Sequence, residues 1–175
     1  MQPDWPAQVH RELAAARVRM VGYVPDAGHK RLIELCQADR NMRAVVLTTE
    51  EEGIGLAAGA WLGGEKTVLL MQSSGVGNLV NALGMVQVCR FPLLMLVTMR
   101  GEQGEFNPWQ VPMGQTTARV LETMGVAVRQ AGEPETVAPH VHTALRLAFE
   151  AQGAEAVLIA QRVIGIKSFQ EQSAQ

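Results

Sequence analysis

Three consecutive carboxylates, Glu50, Glu51 and Glu52, follow a short apolar run at 44–47 and open a segment rich in helix-forming residues. The apolar run is typical of a buried strand, so the carboxylates are predicted to lie just past the carboxyl end of that strand. In open α/β sheets, ligands bind at this edge. The cluster can therefore cap a helix, or one of its members can carry out acid–base chemistry.

Helix capping explains part of this cluster. Acidic side chains stabilise a helix N-terminus because they face the positive end of the helix dipole. Thr49 and Glu52 also fit a capping box, in which each side chain satisfies a backbone donor of the other residue. Capping and solvation thus account for Glu51 and Glu52. They do not require Glu50, which is nearest to the strand.

Glycines recur every four residues along the same predicted helix, at Gly55, Gly59 and Gly63. Each glycine in a helix interior costs about 1 kcal/mol relative to alanine. The stripe therefore predicts that another helix packs closely on this face, at a subunit contact.

A second motif, at 72–78 (QSSGVGN), is predicted to be a loop between a strand and a helix. Such a loop can present backbone N–H groups to an anion. It lacks the third glycine of a dinucleotide-binding fingerprint and the Gly-Lys-Ser/Thr of a P-loop. A tight turn that leads a strand into a helix explains it equally well.

Composition limits the classes of function. The chain has 175 residues, which suits one domain, and its net charge of −2 with no basic run argues against nucleic-acid binding. Cys36 and Cys89 are expected to be buried free thiols. The four histidines have no zinc spacing, so no metal site is predicted. No apolar stretch approaches membrane length and no signal segment is evident, so we expect a cytoplasmic protein that does not enter a membrane.

The hydrophobic pattern predicts alternating helices and strands. Helices are expected at about 6–18, 29–38, 50–62, 79–89, 115–124 and 134–151. Strands are expected at 20–24, 44–47, 67–71, 93–98, 126–129 and 155–160, before a polar tail. Continuous Val/Leu/Ile runs indicate strands that are buried on both faces, and hence a six-stranded parallel sheet in a three-layer, flavodoxin-like α/β sandwich. Four connections, at 25–28, 48–50, 72–78 and 99–113, would share one edge of this sheet.

Three segments in register resemble one known family. They are Val24-Pro25-Asp26, the stretch 50–59 (EEEGIGLAAG) and the stretch 71–78 (MQSSGVGN). Together they resemble the pyrimidine-binding (PYR) domain of thiamine-diphosphate enzymes. The resemblance is greatest to the alpha subunits of sulfopyruvate decarboxylases and to the N-terminal half of phosphonopyruvate decarboxylases. It covers roughly residues 15 to 165 and implies that the chain, 1–175, is a single PYR domain.

The resemblance implies a role for Glu50 and for the glycine-containing motif. The family's glutamate lies nine residues before the last glycine of the Ala-Ala-Gly segment, which corresponds to Glu50. It hydrogen-bonds N1′ of the cofactor's aminopyrimidine, and the cofactor then acts as an electron sink for loss of carbon dioxide from a 2-oxo acid. Further residues are expected to contact thiamine diphosphate, namely Ser73, Ser74, Gly75, Val76, Gly77 and Asn78. Asp26, Trp109 and Gln110 are expected to bind substrate.

The sequence departs from the family at several points. Ser73 stands where related sequences usually have Asn, and Gln110 stands where a histidine is common. The family binds the cofactor's diphosphate and Mg²⁺ through a second domain with a Gly-Asp-Gly motif and a downstream Asn-Asn. Neither motif occurs in this chain. The resemblance therefore implies that a separate beta subunit holds the magnesium and completes the site.

Two functions follow. The first is the alpha subunit of a thiamine-diphosphate-dependent decarboxylase that acts in a hetero-oligomer, with sulfopyruvate as the first choice of substrate and phosphonopyruvate or another 2-oxo acid as the second. Carboligation stays open. The alternative is a non-catalytic, flavodoxin-like module that binds an anion at 72–78 or regulates another protein. Glu50 discriminates between them, because an anion site has no use for a carboxylate that faces its ligand.

Overall fold

Six apolar segments form one sheet in the computed structural model, which describes residues 4–165. The strands are β1 (Val18–Tyr23), β2 (Arg43–Val46), β3 (Lys66–Gln72), β4 (Leu93–Thr98), β5 (Ala127–Ala131) and β6 (Ala154–Ile159). Their order in the sheet is β2-β1-β3-β4-β6-β5, and every neighbouring pair is parallel. The predicted six-stranded parallel fold is confirmed.

Helices cover both faces of the sheet. They are α1 (Trp5–Ala15), α2 (Lys30–Ala38), α3 (Glu50–Leu62), α4 (Ser73–Cys89), α5 (Val111–Thr123), α6 (Pro134–Phe149) and the short α7 (Gln161–Ile164). Successive strand residues point to opposite faces. Leu94 and Leu96 of β4 accordingly pack against α1, α2 and α6, whereas Met95 and Val97 pack against α3, α4 and α5. This is the expected three-layer sandwich.

The predicted start of α1 is confirmed, but its predicted end is wrong. The side chain of Asp4 accepts a hydrogen bond from the backbone N–H of Ala7 at 3.2 Å and so caps the helix. The helix ends at Ala15 because Val18 already pairs with Lys66 in the sheet. Strand pairing therefore overrides the helical pattern in the last three predicted residues.

The predicted loop at 72–78 is also wrong, because α4 begins at Ser73, directly after the last residue of β3. Glycine disfavours a helix interior, and Gly75 and Gly77 led to the loop prediction. Packing reverses that preference here. Gly75 lies against the side chain of Glu50, where a larger residue would collide.

The helix predicted at 115–124 begins earlier, at Val111, and follows a 3₁₀ turn at Pro108–Gln110. The sequence prediction places Pro112 in the preceding connection, at 99–113. Proline is tolerated in the first turn of a helix, where its missing N–H has no intrahelical partner. The connection between β4 and the first helical turn is therefore shorter than predicted.

Glu105 holds this connection in place. Its carboxylate accepts two hydrogen bonds from the guanidinium of Arg100, both at 2.6 Å, and one from the side chain of Gln161 at 3.0 Å. It also accepts hydrogen bonds from the backbone N–H groups of Gly101 and Asn107. These donors, the Arg100 guanidinium first, lower the pKa of Glu105 from 4.5 to about 2. One nearly buried carboxylate thus fixes the segment that follows β4.

The glycine stripe of α3 faces away from the chain's own core. A side chain at Gly55 or Gly59 would meet nothing within 4 Å, whereas one at Gly53 would meet Leu69 at 2.9 Å and Leu47 at 3.2 Å. Close packing inside the chain therefore depends on Gly53. The subunit contact at Gly55 and Gly59 stays a prediction.

The remaining predictions concern the two cysteines, membrane helices, the C-terminal tail and the number of domains. Cys36 is buried, as predicted, but Cys89 at the end of α4 is exposed, which corrects the second assignment. None of the helices in residues 4–165 is long and apolar enough to cross a membrane. Most of the predicted polar tail, at 166–175, lies outside the described residues, and the single-domain assignment of 1–175 stays a prediction.

We predict that leucine at Gly53 destabilises the fold, whereas leucine at Gly55 does not. Gly53→Leu forces Leu69 and Leu47 to move and should lower the free energy of unfolding by about 1–3 kcal/mol. Gly55→Leu is the matched control, because it places the same residue two positions away in open space. Urea unfolding of the purified chain measures both. Equal effects of the two substitutions would contradict the packing described for α3.

We also predict a pH-dependent contribution from Glu105. Because its pKa is lowered on folding, its stabilisation is complete above the unfolded value near 4.5 and is lost as the pH falls toward about 2. Glu105→Gln should therefore cost about 1–3 kcal/mol at neutral pH, and the difference from wild type should shrink in acid.

The control is Glu150→Gln, which removes an exposed ion pair with Arg146 and should cost only about 0.3–0.5 kcal/mol. Urea titrations at neutral pH and at about pH 3 test the sign of the effect. A Glu105→Gln deficit that persists undiminished in acid would refute this account.

Candidate active site

The sheet order places a topological switch point between β1 and β3. From β1 the chain moves outward to β2, and from β3 it moves in the opposite direction to β4. The crevice outside the carboxyl ends of such strands is where open α/β proteins bind ligands. Asp26 follows β1, Glu50 follows β2 and Gln72 ends β3, so the predicted site residues lie at this edge.

Asp26 links the ends of three strands. One carboxylate oxygen accepts a hydrogen bond from the Gln72 side-chain amide at 3.1 Å, and the other accepts one from the Thr98 hydroxyl at 2.6 Å. Gln72 in turn accepts a hydrogen bond from the Ser74 hydroxyl at 2.8 Å. Gln72 and Thr98 are the last residues of β3 and β4, so this network fixes Asp26 at the carboxyl ends of these strands, next to the switch point.

His29 lies beneath this network and is fully buried. Its Nε2 is 3.0 Å from the backbone oxygen of Leu96, to which the neutral ring donates, while Nδ1 has no hydrogen-bond partner in the described chain. Burial lowers the pKa of His29, against the opposing effect of the nearby Asp26 carboxylate. The ring is therefore neutral at physiological pH and acts as a polar anchor between the β1–α2 turn and β4.

The three carboxylates at the start of α3 have different environments. Glu50 is only 7% exposed, whereas Glu51 and Glu52 are exposed. The Glu52 carboxylate accepts the backbone N–H of Thr48 at 2.7 Å, and the Thr49 side chain makes no capping hydrogen bond. The predicted capping box is therefore wrong in its details. The Glu52 carboxylate accepts its hydrogen bond from the backbone of Thr48 instead of Thr49, and Thr49 contributes only its backbone to the cap.

The Glu50 side chain projects from the start of α3 against the start of α4. A Cβ atom at position 75 would collide with its carboxylate, so only glycine allows this placement. The Asn78 side-chain amide donates a hydrogen bond to Glu50 Oε2 at 2.8 Å. Within residues 4–165 no further hydrogen bond to this carboxylate is present, so Oε1 is available to a ligand that carries a proton.

The other residues of the 72–78 motif are divided between the core and the surface. The Ser73 hydroxyl is buried and accepts the backbone N–H of Arg100 at 3.0 Å, and the Val76 side chain packs in the core beneath α4. Gly77 is exposed next to Asn78, and a side chain at this position would contact Met113. The structure thus groups Glu50, Gly75 and Asn78. Direct cofactor contacts of Ser73, Ser74, Val76 and Gly77 stay predictions.

Trp109 and Gln110 belong to the 3₁₀ turn that precedes α5. The Trp109 side chain is 86% exposed and projects from this turn. The side-chain oxygen of Gln110 is buried without a hydrogen-bond partner in the described residues. Neither side chain is held in a substrate pocket by other residues of the described chain. Their contact with substrate stays a prediction.

Several residues that shape this edge were missed in the sequence. Gln72 and Thr98 carry a detectable signal, because each is a polar residue that directly follows an uninterrupted apolar run, at 68–71 and 93–97. Arg100 and Glu105 carry a weaker one, as opposite charges five residues apart in a connection. His29 carries none that separates it from a surface histidine. In residues 4–165 no group of three or more His, Cys, Asp or Glu side chains could hold a metal ion.

Comparison with known proteins identifies relatives of the chain. A family model described as "Thiamine pyrophosphate enzyme, N-terminal TPP binding domain" matches residues 6–118. The sulfopyruvate decarboxylase subunit alpha of Methanococcus maripaludis is 36% identical over 152 residues, which cover 86% of the chain and 91% of that subunit. The phosphonopyruvate decarboxylase of Streptomyces viridochromogenes is 35% identical over 112 residues. The match covers 63% of the chain but only 28% of that decarboxylase.

A solved structure shows the same fold. The 2-oxoglutarate:ferredoxin oxidoreductase from Magnetococcus marinus superposes with a TM-score of 0.68 over 89% of the chain and 28% of that protein. At 14% identity this likeness establishes the fold alone. The family match and the relatives above 30% identity establish more: the chain belongs to the thiamine pyrophosphate enzyme family, contains its N-terminal cofactor-binding domain and has decarboxylases as relatives.

Proposed function

We propose that this protein is the alpha subunit of a thiamine-diphosphate-dependent 2-oxo acid decarboxylase, with sulfopyruvate as its substrate. The observation that carries the proposal is the buried Glu50 carboxylate at the ligand-binding edge, with one oxygen held by Asn78 and the other free. Relatives named sulfopyruvate decarboxylase subunit alpha support the substrate. The phosphonopyruvate decarboxylase match supports phosphonopyruvate as the second choice.

The residues around Glu50 suit the pyrimidine ring of the cofactor. Gly75 lets the Glu50 carboxylate lie directly against α4, and Gly77 is exposed nearby on the same helix. A flat ring that reaches Glu50 can therefore approach α4 beside Gly77, with Ser73, Ser74 and Val76 in the same part of the helix. Thiamine diphosphate, when bound, supplies the electron sink for loss of carbon dioxide.

The chain's own side chains divide the remaining work. Glu50 holds a proton at the ring nitrogen N1′ and exchanges it there, which is general acid–base catalysis. Asp26 faces the same edge from the switch point and orients the substrate, because Gln72 and Thr98 hold both of its oxygens at a fixed angle. Trp109 and Gln110 cover the substrate once a second subunit narrows the site. Gln110, which cannot titrate, contributes a hydrogen bond rather than a proton.

A partner subunit supplies what this chain lacks. The chain has no Gly-Asp-Gly and no Asn-Asn, so the diphosphate and its Mg²⁺ are assigned to a beta subunit. The exposed sides of α3 and α4 are the proposed contact with that subunit. Leu62 of α3 and Val88 of α4 are 88% and 83% exposed, and Gly55 and Gly59 of α3 have open space where a side chain would lie. The unpaired Cys36 and Cys89 suit a reducing cytoplasm.

Glu50→Gln tests the catalytic assignment. The substitution keeps the volume of the side chain but removes its proton exchange, so turnover by the complex should fall about 10²–10⁴-fold. Hydrogen–deuterium exchange at C2 of the bound cofactor should slow in parallel, which separates this step from later ones. Thermal unfolding should change little.

Glu51→Gln is the matched control, because it removes an exposed carboxylate from the next position of the same helix. It should leave C2 exchange near the wild-type rate. If Glu50→Gln retains wild-type exchange, or if Glu51→Gln abolishes it, the catalytic residue has been assigned wrongly. Turnover of phosphonopyruvate in preference to sulfopyruvate would assign the second substrate.

The partnership has its own test. The purified chain with added thiamine diphosphate and Mg²⁺ should show no decarboxylation, and co-expression with the beta subunit should restore it. Gly59→Leu should block assembly while leaving the circular dichroism of the chain unchanged, because the new side chain meets nothing within the chain.

Thr143→Leu, an exposed substitution on α6 across the sheet, is the control and should assemble normally. Sedimentation of the co-expressed complexes distinguishes the two variants. Robust turnover by the single chain would refute the heteromeric proposal, and normal assembly of Gly59→Leu would move the contact to another face.

A further inference from the structure

Asn78 is the side chain through which α4 holds Glu50. It lies in the second turn of α4, 28 residues from Glu50 in sequence, and donates its amide to Oε2 at 2.8 Å. Asparagine is a poor residue for a helix interior, because its side chain competes for backbone hydrogen bonds. The Asn78 side chain instead points to the neighbouring helix. Helix stability therefore does not explain this residue, whereas the bond to Glu50 does.

The two oxygens of Glu50 consequently have different surroundings. Oε2 is occupied by Asn78, while Oε1 lies over Gly75 without a hydrogen-bond partner in residues 4–165. No Asp, Glu, Lys, Arg or His side chain occurs anywhere in α4. The neighbouring charges on α3 are those of Glu51 and Glu52, which are exposed. The Asn78 amide is thus the only side-chain donor to this carboxylate in the described chain.

We propose that Asn78 is a positioning residue for Glu50 rather than a direct ligand of the cofactor. It selects which carboxylate oxygen is presented to the pyrimidine ring, because its hydrogen bond to Oε2 leaves Oε1 free. This effect acts through Glu50, so the inference rests on the proposed function of that residue. It assigns to Asn78 a role different from the cofactor contact that the sequence resemblance implies.

A ¹³C measurement that needs no cofactor tests the contact. The side-chain carboxyl carbons of glutamate are labelled with ¹³C in the full chain, and the Glu50 signal is assigned by its absence in Glu50→Gln. Asn78→Ala should move the Glu50 carboxyl signal at neutral pH away from its wild-type chemical shift, because Oε2 loses the side-chain donor. Asn78→Asp, which removes the amide donor at nearly the same side-chain size, should move it as well.

Asn81→Ala is the matched control, an exposed asparagine one turn further along α4, and should leave the Glu50 carboxyl signal unchanged. An unchanged Glu50 signal in Asn78→Ala would overturn the proposal. Circular dichroism of each variant confirms that α4 is intact. This result does not depend on whether Glu50 is catalytic, so it separates the contact from the proposed function.

The assembled complex then tests the consequence for the reaction. Asn78→Ala should slow C2 exchange about 10- to 100-fold, the scale of a misplaced catalytic group, while cofactor affinity changes less than about threefold. The reverse pattern, weakened cofactor binding with wild-type exchange, would make Asn78 a direct ligand and overturn the proposal. If Glu50→Gln also retains wild-type exchange, the proposed function fails instead.

Discussion

The carboxylate of Glu50 occupies the space in which a side chain at position 75 would otherwise lie. This contact explains why α4 begins with residues that disfavour a helix and why it begins without any loop after β3. It also fixes the distance between α3 and α4 at their N-terminal ends. The hydrogen bond from Asn78 and the free oxygen of Glu50 follow from that distance. The site is therefore a consequence of how closely two helices approach, and not of a separate binding loop.

A second constraint acts on the other side of β3. Asp26 joins the ends of β1, β3 and β4 through Gln72 and Thr98, and the neutral His29 supports the same turn from the core. The Gln72 side chain also accepts a hydrogen bond from the hydroxyl of Ser74, in the first turn of α4. The junction between β3 and α4 therefore lies between two carboxylates. Asp26 accepts a hydrogen bond from Gln72 of β3, and Glu50 accepts one from Asn78 of α4. A change at this junction would affect both carboxylates.

The sequence predicts the parallel sheet and the position of Glu50 because both depend on local signals. The run 93–97 in β4 is apolar at every position, and Glu50 is the carboxylate that capping does not require. The start of α4 could not be predicted in this way, since Gly75, which disfavours a helix, accommodates the side chain of a residue 25 positions earlier. Two further details depend on three-dimensional geometry that residue types do not encode. The Glu52 carboxylate accepts its hydrogen bond from the backbone N–H of Thr48 rather than Thr49, and five donors surround Glu105.

The collision between positions 50 and 75 also has an evolutionary consequence. Glutamate at 50 and a residue larger than glycine at 75 are mutually exclusive, so substitutions at the two positions cannot be neutral independently of one another. A descendant that lost Glu50 would be free to accept alanine at 75, and alanine is favoured in a helix by about 1 kcal/mol over glycine. Once that exchange had occurred, restoring glutamate alone would produce a clash. Loss of the carboxylate in this lineage would therefore become irreversible through a mutation that improves the helix.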